Sequence, residues 1–166
     1  MAISTLATAG VAGAQEMPVP TQVHSEFAGP YVGIKLGENW SNAKGVVNTA
    51  TRARTFFGAM AGYGFDVGPF VLGPEVFADL HNGSTTGRDA GVDARIGLPI
   101  NRIMPYARIG FTGISPDTRF HGGLGVEYAV SEDVHVGLEW AADTSHTNGT
   151  KRNNNSLTVG LQYYFQ

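Results

Sequence analysis

Nine ionisable residues, Lys35, Glu75, Asp79, Asp93, Arg95, Arg108, Glu127, His135 and Glu139, are the first candidates for chemistry in this 166-residue chain. Paired carboxylates, guanidinium groups and an imidazole serve general acid–base work, metal binding, ion conduction or plain charge pairing. His135 and Glu139 are spaced for a metal or general-base pair, but no third ligand stands at a suitable spacing. A histidine satisfied by a neighbour is therefore expected, with no metal and no cofactor. A second candidate is Ser145-His146-Thr147-Asn148-Gly149. There Ser145 and Thr147 flank His146 and point to the opposite face in an extended chain, and no acidic residue follows to orient the imidazole. Catalysis is not expected from either group.

What positions these residues is a period of two that runs from Tyr31 onward. Over 30–40, Val32, Ile34, Leu36 and Trp40 alternate with Gly33, Lys35, Gly37 and Asn39. Over 54–65, Phe57, Ala59, Ala61, Tyr63 and Phe65 alternate with glycine and Met60. A third strand, 70–80, sets Leu72, Val76, Ala78 and Leu80 against Glu75, Phe77 and Asp79. Pro74 within it predicts a bulge or a lost ladder hydrogen bond. A fourth, 90–100, alternates Val92, Ala94, Ile96, Leu98 and Ile100 with Gly91, Asp93, Arg95 and Gly97, with Pro99 near its end. Four more follow over 106–113, 123–130, 134–142 and 157–165. Short turns are expected at 66–69, 101–105 and 131–133, and longer polar loops at 41–54, 81–88, 113–121 and 143–155. Strands of 8–12 residues suit a tilted bilayer crossing. The expected fold is all-β: an eight-stranded antiparallel up-and-down transmembrane β-barrel.

Composition agrees with this fold. Only 15% of residues are charged, 23 are glycine, and no apolar run approaches the length of a membrane helix. With 42% apolar residues the chain is not a disordered one. The apolar face is the larger and more continuous, so it belongs outside against lipid, and the charged face belongs inside. The expected lumen salt-bridge network is Lys35, Glu75, Asp93, Arg95, Arg108, Glu127 and Glu139, because ions away from water must pair. It fills the barrel as a plug; the alternative is a small pore. The loops carry Lys44, Arg52, Arg54, Arg88, Arg119, Lys151 and Arg152 against only Asp117 and Asp143. This external basic rim suits phosphate groups of lipopolysaccharide or an acidic host polysaccharide. The net charge of −3 gives no support for nucleic-acid binding.

Residues 1–14 end in Ala12-Gly13-Ala14, a small-x-small cleavage pattern without a charged start, and are expected to be a truncated signal peptide. Residues 15–28, with Pro18 and Pro20, are expected to form a flexible leader, and 29–166 the barrel.

Several segments carry a family resemblance: Gly29-Pro30-Tyr31-Val32-Gly33, Lys35-Leu36-Gly37, Gly62-Tyr63-Gly64-Phe65 and Pro105-Tyr106-Ala107-Arg108. Gly122-Gly123-Leu124-Gly125-Val126-Glu127-Tyr128 and the closing Leu161-Gln162-Tyr163-Tyr164-Phe165 complete it. In order and spacing they resemble the small opacity-type and OmpA-like outer-membrane barrels of Gram-negative bacteria. The resemblance implies a bacterial outer-membrane location and insertion by the barrel-assembly machinery, which reads a terminal aromatic; here Phe165 is followed by Gln166. It implies partners in outer-membrane lipid and lipopolysaccharide, with host surface molecules as further candidates, and a structural or adhesin-like role. The rival within the same architecture is a lipid A deacylase built on His146. Asn148 stands where that motif places its serine.

Overall fold

The computed structural model describes residues 24–81, 88–113 and 119–165. The described residues form β1 (Gly29–Gly45), β2 (Thr49–Val67), β3 (Phe70–His81), β4 (Arg88–Gly97), β5 (Ile103–Thr112), β6 (Arg119–Ala129), β7 (Val134–Thr147) and β8 (Thr150–Tyr164). Each strand pairs antiparallel with its neighbours in chain order, and β8 returns to β1, closing the barrel. Closure satisfies the backbone without an edge at bilayer depth, where water is absent. Residues 1–23, with the expected signal and most of the expected leader, lie outside the described residues.

The two faces separate as the alternation demands. Leu36 and Leu124 are 57% and 60% exposed on the outer wall, whereas Glu127 and His135 inside are 0% exposed. This is the inverse of a soluble barrel, whose interior takes the apolar set. Tyr63, Phe65, Phe70, Tyr128, Tyr163 and Phe165 form an exposed aromatic girdle near one end, and Phe111, Phe120 and Trp140 lie near the other.

The first end holds the short connections at 68–69, 98–102 and 130–133, the periplasmic pattern of an outer-membrane barrel. β4 ends at Gly97, three residues before Ile100: Leu98 N–H still donates to the Pro105 carbonyl, but Pro105 has no N–H to return the bond, and Ile100 makes only an isolated bridge to Ile103. β5 correspondingly starts at Ile103. At Pro74 there is no bulge. Pairing of β3 with β2 is interrupted between Glu75 and Leu72, yet the register on either side is the same. Opposite the gap, a Cβ on Gly73 would collide with the Tyr63 carbonyl oxygen, so only glycine allows the backbones to meet there.

Two segments expected as loops are strand instead. β1 and β2 span 17 and 19 residues, and β7 and β8 span 14 and 15, against 10–12 for the other four. The hairpins of 41–54 and 143–155 therefore stand above the lipid belt as a wall of four strands. Water wets both faces of that wall, so no apolar alternation marks it. Its tip is the Asn148-Gly149 turn, both residues at positive φ (48° and 74°), the two-residue hairpin geometry that suits this dipeptide.

A closed barrel of this kind migrates faster on a detergent gel when unboiled than when boiled. Gly73→Val is expected to lower the temperature at which the fast band disappears; an unchanged transition would contradict the close approach at Tyr63.

Candidate functional site: a charged lumen and a polar vestibule

Every strand contributes its inward positions to one charged interior. Arg108 on β5 reaches Asp93 on β4 at 2.6 Å, Glu139 on β7 at 2.6 Å and Glu75 on β3 at 3.3 Å. Arg95 on β4 pairs with Glu127 on β6, lies 4.0 Å from Glu75, and stacks over the Tyr106 ring at 4.0 Å. Lys35 on β1 pairs with Asp79 on β3 at 3.1 Å and sits 4.3 Å from the centre of the Phe77 ring. Neutral donors complete the carboxylates: Tyr31 donates to Glu75 at 2.7 Å and Tyr106 to Glu139 at 3.0 Å.

Three cations thus meet five carboxylates, and two histidines supply further hydrogen bonds. His121 Nε2 lies 2.6 Å from Asp93, its Nδ1 3.1 Å from the Thr112 hydroxyl, and His135 Nδ1 lies 2.8 Å from Glu127. An imidazole nitrogen facing a carboxylate carries the proton, which fixes the orientation of both rings. The inward glycines make room for these groups. A Cβ on Gly58 would strike the Asp79 carboxylate, and one on Gly110 the Asp93 carboxylate.

All seven residues expected in the lumen network are buried there, as are Asp79 and His135. His121, Tyr31 and Tyr106 join them without having been singled out. His121 precedes the expected start of its strand, and a tyrosine in an alternating segment reads as part of a girdle. Below the network, Phe27 is 1% exposed and packs with Val71, Met104 and Ala129, its ring edge-on to His135 at 4.8 Å. Ser25 N–H donates to Asp66, and His24 lies 3.1 Å from the same carboxylate. Residues 24–28, expected as leader, so cap the turn-bearing end of the barrel.

At the opposite end the interior opens into a vestibule of about 460 Å³. The seven basic rim residues divide around it. Arg52, Arg54, Arg119 and Arg152 all line the cavity. Arg119 is held by Asp89 at 2.7 Å and Asp143 at 3.6 Å. Burial pushes the Asp143 carboxyl up, partly offset by Arg119 and by a hydrogen bond from Asn154. Lys44 and Lys151 instead alternate onto the outer face, where they stand directly opposite one another on β1 and β8. The Arg88 side chain and Asp117 lie outside the described residues.

His146 is exposed and pairs across the strands with Lys151, whereas Ser145 is buried on the inner face. The two are on opposite sides of the wall. Among the described residues no group of three or more His, Asp or Glu side chains is arranged to hold a metal.

A lipid-facing belt around an ionic interior, closed by eight antiparallel strands, defines an integral β-barrel of the bacterial outer membrane. The chain belongs to the family described as "outer membrane protein beta-barrel domain", which it matches over residues 4–165. It is 26% identical to the 25 kDa outer-membrane immunogenic protein of Brucella ovis, across 90% of this chain and 84% of that one. It is 29% identical to outer membrane protein A of Escherichia coli O157:H7, across 81% of this chain but only 47% of that longer protein. Among solved structures it resembles Neisserial surface protein A (TM-score 0.54, 14% identity, 81% of this chain and 97% of that one). Ail, the attachment invasion locus protein of Yersinia pestis, has a TM-score of 0.50 at 13% identity, over 81% of this chain and 99% of that one. These two likenesses are of fold.

Arg108→Met removes one cation from three buried carboxylates. It is expected to destabilise the barrel by about 3 kcal/mol or more in urea unfolding from lipid vesicles, since uncompensated buried charge is costly. A loss below about 1 kcal/mol, the scale of an exposed pair, would contradict a dry ionic core.

Proposed function

We propose that the chain is a non-catalytic surface barrel whose raised wall contacts the lipopolysaccharide leaflet through Lys44 and Lys151. The observation that carries this reading is the register across β7, β8 and β1: His146, Lys151 and Lys44 stand in one row on the outer, exposed face. Like charges directly opposite across a ladder destabilise it. Neither lysine has an ion-pair partner among the described residues. An anion between them removes the repulsion.

Position supports a phosphate of the surrounding leaflet as that anion. Along β8 the outward residues run Leu157, Asn155, Asn153 and Lys151. With ordinary strand rise and tilt, the basic row stands about 15 Å above Leu157. Between them the outer face is amide and hydroxyl, with Asn153, Asn155 and Thr144, suited to sugar. The separation of His146 from Ser145, with no acidic residue after His146 in the sequence, favours the non-catalytic reading over a deacylase.

The charge reversal Lys44→Glu/Lys151→Glu should reduce the lipopolysaccharide retained per barrel after detergent extraction by roughly tenfold, the scale of two lost charge-assisted contacts. Unchanged retention would overturn the assignment. Mass spectrometry of lipid A from cells with and without the protein should show the same acyl count. An acyl chain whose loss depends on His146 would establish an enzyme instead.

A further inference from the structure

The inward-facing arginines of the raised wall are separated from the leaflet by the wall itself, so they answer to a different ligand. Arg52 on β2 stands opposite Ser41 on β1, and Arg152 on β8 stands opposite Ala43. Strand spacing and rise put their Cα atoms roughly 12 Å apart across the inner face. Both are exposed, and neither has an ion-pair partner among the described residues. Between and below them the wall presents Ser41, Asn39, Asn154 and Ser156, and Phe56 and Phe77 lie at the bottom of the cavity. A second open space, lined by Arg52–Thr55, adjoins the first at Arg52 and Arg54.

We propose that this vestibule binds an acidic sugar residue of a glycan chain, its carboxylate or phosphate held by Arg52 and Arg152 and its hydroxyls by the Asn and Ser side chains between them. Guanidinium forks match the geometry of either anion. At about 460 Å³ the cavity is far larger than a bare anion and lies in the range of small-molecule sites. Ser41 already donates to the Asn39 side-chain carbonyl and Asn154 to Asp143, which leaves the Asn39 N–H groups as donors and the Ser41 and Ser156 hydroxyls as acceptors for a polyol, groups that a bare anion would use only in part. Asp143 on β7 lies beside β8, where it accepts from Asn154 and holds Arg119, and Asp89 on β4 holds the same arginine, so both carboxylates are already satisfied. The acid group of the ligand is seated toward Arg52 on β2 and Arg152 on β8. A peptide carboxylate would use the arginines but leave the Ser and Asn row idle. The proposal rests on the reading of this end as the cell-surface end, but uses different residues from the leaflet contact.

The test uses the full chain in phospholipid nanodiscs free of lipopolysaccharide, titrated with glucuronic acid, glucose 6-phosphate, glucose and tetraglutamate and followed by NMR. Both acidic sugars should bind, with glucose and tetraglutamate weaker by about tenfold or more. Arg52→Ala/Arg152→Ala should weaken acidic-sugar binding by about tenfold or more, while Lys44→Ala/Lys151→Ala changes it by less than about twofold. Heat modifiability confirms that each variant is folded. Equal binding of glucose or tetraglutamate, or full affinity in the arginine variant, would overturn the proposal. So would absence of acidic-sugar binding, and if the lysine pair still retained lipopolysaccharide, the vestibule assignment alone would fall. Competition by the organism's own core oligosaccharide would place the sugar in the neighbouring leaflet; its failure, with other acidic glycans competing, would place it on another surface.

Discussion

Arg108 is the interaction on which the interior depends. It reaches from β5 to carboxylates on β3, β4 and β7, so one side chain crosses the lumen and ties four strands. Each carboxylate is then committed elsewhere: Glu75 to Tyr31 and Arg95, Asp93 to His121, Glu139 to Tyr106. A charge shielded from water is tolerated only when paired and hydrogen-bonded, and the pairing here is shared. The outer wall offers no comparable anchor, because Leu, Val and Ile facing lipid tails are indifferent to which neighbour they touch. Specificity of shape therefore comes from inside.

The same constraint explains the composition. An eight-stranded barrel is just wide enough for its own side chains, and arginines crossing it need small residues opposite. Gly58 and Gly110, beside Asp79 and Asp93, show why glycine and charge alternate inside so often. Above the network the constraint relaxes. The vestibule is wet, so Arg52 and Arg152 stand without ion-pair partners among the described residues, whereas Arg119, deeper, is paired twice. Below it, Phe27 and Met104 replace ions with apolar packing and close the turn-bearing end.

How much of this was legible in the sequence follows from where the two faces differ. Inside the bilayer one face meets lipid and the other meets charge, so a period of two fixes strand number, facing and the membership of Lys35, Glu75, Arg95 and Arg108 in the lumen. Beyond the bilayer both faces meet water. There Ser41–Arg54 carries no alternation, and the direction of Arg52 or Lys44 follows only from register counted up from the belt. Asn148-Gly149 was the one local sign of a hairpin, set within polar residues that also suit a loop. His121 was lost because its strand begins at Arg119, earlier than the apolar pattern. Phe27 is not legible because a lone aromatic ahead of the first alternating strand has no period to place it.

If the shared ion pairs fill the lumen, the barrel has no continuous path for ions. Recording from purified protein in planar lipid bilayers tests this most directly. The structure predicts a silent membrane, with no unitary current steps after insertion is verified by heat modifiability of the same preparation. Reproducible steps of one conductance, abolished by boiling, would contradict a filled interior and make Arg108 and its carboxylates the lining of a pore.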